Sequence, residues 1–316
     1  MAFTTVINGN QLFPTITLSD SSTGAQAEIY SFGALLNQFL VKKGDGYLNL
    51  IDGFSSPKDA IENITNGFKS AFLSPFTCRM NEGKYSFADT AYQVEKFFMG
   101  SHAIHGLVYD APFTVAETEA TENYASVKLT YTYNKNDAGY PFSYTVSHVW
   151  KLEAGGKLSV TTTVVNQSAH PIPYAQGWHP YFTLGSSVDD CSLQFTTDKQ
   201  VEFDDTLLPT GGILNDGRFK EGIALKDIFL DNCFHLADEG NHTCVLSNDL
   251  VKLTIAPSGS GAYPYLQIYT PPHRKSIAIE NLSGAPDCFN NGLGLLLIEP
   301  NTAITFATTY SATHLK

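Results

Sequence analysis

The chain has 316 residues, 43% hydrophobic and only 16% charged, which is enough apolar material for a large buried core. Its formal net charge of −12 disfavours nucleic acid and anionic membrane as partners. The only arginines are Arg79, Arg218 and Arg274, a poor supply of the guanidinium forks that read several phosphates.

The 21 Phe and 16 Tyr favour strands. The cysteines, Cys78, Cys191, Cys233, Cys244 and Cys288, are odd in number and scattered, with no C-x-x-C pair. That argues against a disulfide scaffold or zinc knuckle and for a reducing, cytoplasmic setting. Residues 1–14 show no basic leader, and no apolar run is long enough to span a membrane.

In chain order, 15–19, 25–42 and 47–51 read as strands, the second broken at Ser31-Phe32-Gly33-Ala34. Residues 55–64 form the best helix candidate: Ser56 can cap, Pro57 can take the first helical position, and Asp59 lies in the first turn. Glu82-Gly83 predicts a tight turn between two extended pieces. Arg79, just before it, reads either as an exposed hairpin residue or as a guanidinium in an apolar setting that needs a partner. His102 and His105 lie three apart among Gly100, Gly106 and Pro112, which predicts a loop, and no third and fourth metal ligand is evident. Strand pairs follow at 113–134 and 142–167, with a turn at Glu153-Ala154-Gly155-Gly156 and His148 inside a strand.

Gly177-Trp178-His179-Pro180-Tyr181-Phe182 then sets one imidazole among aromatic side chains. It reads as a core histidine, or as a proton donor beside rings that suit the apolar C–H face of a sugar. Further strands are predicted at 191–196, 199–203 and 233–236, with Asp231 as a turn residue or a site acid at a strand start. Ser258-Gly259-Ser260-Gly261 reads as a flexible turn without the context of a nucleotide loop. Strands at 265–270 and 276–282 carry Gln267 and Glu280. Glu280 ends the apolar run Ile277-Ala278-Ile279, so its carboxyl is expected to be desolvated and raised in pKa. Strands near 294–298 and 303–313 close the chain. Roughly twenty short strands, very little helix, no linker and no repeat predict an all-β fold, one large antiparallel β-sandwich domain over 1–316.

Four separated pieces together resemble the aldose 1-epimerase (galactose mutarotase) family over nearly the whole chain. Arg79 with Gly83-Lys84-Tyr85 is similar to the family's Arg and following Gly-Lys-aromatic hairpin. His105-Gly106 with Pro112-Phe113, and His179-Pro180-Tyr181-Phe182, resemble its two histidine motifs. Asp231, Gln267 and Glu280 followed by Pro286-Asp287 resemble its binding Asp and Gln and its general base. The resemblance implies a β-supersandwich with an open carbohydrate cleft and no metal or organic cofactor. Three departures stand out. His102 replaces the usual Asn. The link from Gln267 to Glu280 is short, as in a compact, less characterised branch. Leu107-Val108-Tyr109 stands where relatives acting on hexose 6-phosphates place a basic residue.

On this resemblance, Glu280 is expected as base and His179 as acid. His105 is expected to steady the developing charge or the ring oxygen, and Arg79, Asp231 and Gln267 to hold hydroxyls of a small-molecule sugar. Three other readings remain at this stage. One is a carbohydrate-binding or sensing protein that lost the chemistry, and another is a hexose-6-phosphate mutarotase. The last is a glycosidase or lyase using Asp231 and Glu280 as its carboxyl pair. Oligomeric state and the role of His102 are not legible.

Overall fold

The computed structural model describes residues 2–9, 13–236, 242–258 and 263–315. Within them the fold is all-β: twenty-nine strands and two short α-helices, Pro57–Asn63 and Cys288–Asn291. The expected helix is present, and the Ser56 hydroxyl caps it by accepting from Asp59 N at 3.1 Å. The one-turn helix at Cys288 was not expected. It is too short for hydrophobic periodicity to register.

The scaffold is a nine-stranded antiparallel sheet packed against an eight-stranded one. The strands Ser143–Glu153 and Lys157–Asn166 form the predicted hairpin, in register from Tyr144 opposite Asn166 to Glu153 opposite Lys157. Alternation puts Val146, His148, Trp150 and Leu152 on the buried face. Across the sandwich, Phe72 of Ala71–Leu73 meets His148 at a ring distance of 4.4 Å. Trp178 of Gly177–His179 meets His148 at 4.8 Å and Trp150 at 5.3 Å. His148 is therefore structural, as its place within a strand predicted.

A five-stranded sheet from the first 49 residues covers the outer part of the nine-stranded sheet. Ala34 O accepts from Trp150 Nε1 at 3.0 Å and ties the two together. The break at Gly33-Ala34 is the hairpin that allows this contact, with both residues at positive φ. The strand Pro209–Asn215 was not foreseen; Pro209 and Gly211-Gly212 are residues depleted in strand interiors. It is tolerated as an edge strand, paired on one side only with Lys199–Phe203. The Ser258–Gly261 turn extends outside the described residues.

Period-two alternation in the eight-stranded sheet decides where the site lies. Trp178, Phe234, Leu266, Ile268, Ile277 and Ile279 face the sandwich core. Their neighbours His179, Asp231, Gln267, Tyr269 and Glu280 therefore face the other way, into a cavity of about 310 Å³.

Candidate active site

His179, Glu280 and Gln267 come from adjacent strands. Gly177–His179 pairs with Ile277–Leu282, and Gln267 lies directly opposite Glu280 in the next ladder. Asp231 opens the strand Asp231–His235 on the far side of Tyr265–Tyr269. Its Oδ1 accepts a hydrogen bond from Gln267 Nε2 at 2.8 Å. Four strands thus lay a polar row across one sheet face.

Arg79 and His105 reach the same cavity from outside that sheet. Arg79 sits in the two-residue strand Arg79–Met80, opposite Ile104. Asp287 N donates to Arg79 O at 2.7 Å, and Asp287 Oδ1 accepts from Asn81 N at 2.8 Å, so the segment after Glu280 clamps the Arg79 turn. Asp287 itself is a clamp rather than a lining residue. Glu82, at φ 50, forms the tight turn expected there.

His105 stands at φ 63 with Gly106 at φ 79, and its N–H bonds Cys78 O at 2.9 Å. The chain passes so near Ser74 at this point that a Cβ on Gly106 would lie 2.3 Å from Ser74 O. Only glycine fits, which gives the His-Gly pair a steric reason. His105 meets His179 edge-on at 4.9 Å.

All six residues expected from the sequence therefore line one cavity, and they include the widely separated Arg79 and Gln267. His102 does not line it. Its Nδ1 accepts the backbone N–H of Glu82 at 3.1 Å, so it braces the turn beside Arg79. His102 and His105 do not converge on one site. Cys78, Asn66, Gly67, Phe68, Met99, Phe203, Leu207 and Tyr269 also line the cavity but were not singled out. The Asn66-Gly67 turn dipeptide was the one available signal among them.

The electrostatics follow from burial. His179 Nε2 lies 3.3 Å from Glu280 Oε1. Burial pushes the Glu280 carboxyl well above the usual carboxylate range, and nearby Asp231 adds to the shift. Burial holds the His179 imidazole down to about 4. Both directions disfavour charge on the buried pair. Burial also holds His105 well below its ordinary value, with His179 and Arg79 adding to it. Burial raises Asp231, against the pull of Arg79 and the Gln267 bond. The Cys78 thiol is pushed well up by burial and is therefore an inert neutral group. Four buried polar atoms of the cavity, His105 Nδ1, His179 Nδ1, Gln267 Oε1 and Glu280 Oε2, have no protein hydrogen-bond partner. Unpaired buried groups converging on one space are what a polar ligand would satisfy.

The sequence model for aldose 1-epimerase matches residues 14–311. The chain belongs to the aldose 1-epimerase family. It is 29% identical over 238 residues to the uncharacterized protein YihR of Escherichia coli (strain K12), covering 72% of this chain and 73% of that one. It is 24% identical over 204 residues to an aldose 1-epimerase of Streptococcus thermophilus, covering 62% and 57%. Among solved structures, a galactose mutarotase-like protein from Clostridium acetobutylicum superposes with a TM-score of 0.86 at 18% identity, over 99% of each chain. The galactose 1-epimerase of Lactobacillus acidophilus gives 0.83 at 19%, over 99% and 98%. These likenesses establish the mutarotase-like sandwich. No helix among the described residues is long and apolar enough to cross a membrane.

Proposed function

We propose that this chain is a cytoplasmic, cofactor-independent aldose 1-epimerase of one domain, interconverting the α and β anomers of a free hexose. The observation that carries the reading is the buried His179–Glu280 contact of 3.3 Å in the cavity that all six expected residues line. The hydroxyl oxygen O1 and the ring oxygen O5 of a hemiacetal are bonded to the same carbon. A base and an acid in contact with each other can therefore serve both.

The pair holds one proton, and passing it from Glu280 to His179 arms both groups. Glu280 then takes the O1 proton as the C1–O5 bond breaks, while His179 protonates O5. The product is the open-chain aldehyde. Rotation about C1–C2 and the reverse transfers close the other anomer, with no net change in protons or electrons. His105 faces His179 edge-on and steadies charge developing at O5. Arg79, Asp231 and Gln267 hold hydroxyls so that the ring stays in line with acid and base. Arg79 is the one cationic side chain among the described lining residues, which supports an unphosphorylated sugar.

The test is exchange between α and β anomers of galactose and glucose, followed by magnetisation-exchange NMR with wild type and His179→Ala. Acceleration lost in the variant supports the reading. Sugar binding without acceleration makes the chain a binding protein. Release of aglycone from chromogenic glycosides makes it a hydrolase.

A further inference from the structure

The imidazole of His179 is held in an unusual way. Its Nε2 faces Glu280 at 3.3 Å, and its Nδ1 meets no group of another residue, only its own backbone. Beside those contacts, two rings flank it: His105 edge-on at 4.9 Å, and Tyr181 stacked at 5.0 Å with 27° between the planes. Residues two apart in an extended segment share a face, so His179 and Tyr181 both turn towards the cavity across Pro180. Tyr181 is buried and its backbone is fixed, opposite Ala278 in the ladder and accepting from Asp52 N at 2.9 Å.

The phenol also has a free end. Tyr181 lines the cavity, and its hydroxyl has no hydrogen-bond partner among the described residues. The space before it is kept open by Gly67, at φ +96, whose absent Cβ would stand 3.7 Å from the phenol oxygen. In the proposed reaction His179 serves O5. That oxygen is bonded to C1, on the Glu280 side, and to C5, which in an aldohexose carries the hydroxymethyl group. A sugar seated with O5 at the imidazole brings C5 and its hydroxymethyl group into the cavity that Tyr181 also lines.

We propose that Tyr181 acts twice: its ring positions the His179 imidazole, and its hydroxyl binds the hydroxymethyl group of an aldohexose. The inference rests on the epimerase reading of the same site. It narrows the substrate class to hexoses with a free 6-hydroxyl over their 6-deoxy counterparts.

The experiment measures kcat and KM for anomer exchange of galactose and 6-deoxygalactose with wild type, Tyr181→Phe and Tyr181→Leu. Tyr181→Phe keeps the stack and loses one hydrogen bond. It is expected to lower kcat/KM on galactose roughly three- to tenfold more than on 6-deoxygalactose, mainly through KM. Tyr181→Leu loses the stack and is expected to lower kcat on both sugars by about tenfold or more, with Phe restoring it relative to Leu. Equal losses by Tyr181→Phe on the two sugars overturn the hydroxyl contact. Equal kcat for the Phe and Leu variants overturns the positioning role. Tyr181→Met replaces Leu if thermal unfolding shows that Leu does not fold. No exchange by the wild type removes the epimerase reading, and this inference with it.

Discussion

His179 Nε2 stands 3.3 Å from Glu280 Oε1 with the two side chains only 6% and 2% exposed. At that burial a full ion pair loses much of its hydration, which disfavours charge on both groups and favours a neutral pair with one proton between them. The same pair can turn into base and acid by moving that proton across the contact.

Glu280→Gln keeps the shape of the side chain and removes the base. Anomer exchange is expected to fall by about 10²–10⁴-fold, the usual contribution of a positioned acid–base group. A rate within a few-fold of wild type would put the base elsewhere.

The pH profile of kcat/KM belongs to the pair. Its lower limit is where His179, held down to about 4, gains a second proton, and its upper limit is the raised Glu280 value. Exchange is expected to stay level between them and to fall on either side. A fall centred near the ordinary imidazole value of about 6.5 would mean that His179 is not desolvated.

Stability should follow the same groups. His105 and His148 are held down by burial as His179 is, the second to about 3. Depressed imidazoles contribute stability that is full above about pH 6.5 and lost as pH falls. Glu280 is raised and works the other way, its contribution fading as pH rises above its ordinary value. Folding free energy is expected to drop as pH falls below about 6.5, with the raised Glu280, Asp231 and Asp287 opposing the three imidazoles. Urea denaturation at several pH values measures it, and a flat response contradicts neutral imidazoles.

Gly106→Ala tests the reason for the His-Gly pair. A Cβ would meet the Ser74 backbone at 2.3–2.6 Å, at a positive φ. A loss of at least about 2 kcal/mol in folding stability is expected. Because His105 precedes Gly106, exchange should fall even in the fraction that stays folded. An alanine variant of wild-type stability would show that the Ser74 strand can yield.

By itself the sequence determined the all-β class, the long hairpins and the polar residues that line the cavity. Alternation in Ser143–Glu153 and Lys157–Asn166 is a local property with period two, and the continuous apolar run before Glu280 is a local property too. Motif order then joined Arg79, His105, His179, Asp231, Gln267 and Glu280 into one expected set, all of which line one cavity. Local pattern could not show that His102 braces the Glu82 turn, because Glu82 N is twenty residues away and meets it only after folding. Nor could it show Cys78, Phe68, Phe203 and Leu207 in the lining, since apolar residues there look like core residues anywhere. The tertiary structure also decided which way the site groups shift. The pKa directions of His179 and Glu280 come from burial between strands whose ladder, not their spacing in sequence, sets the 3.3 Å contact.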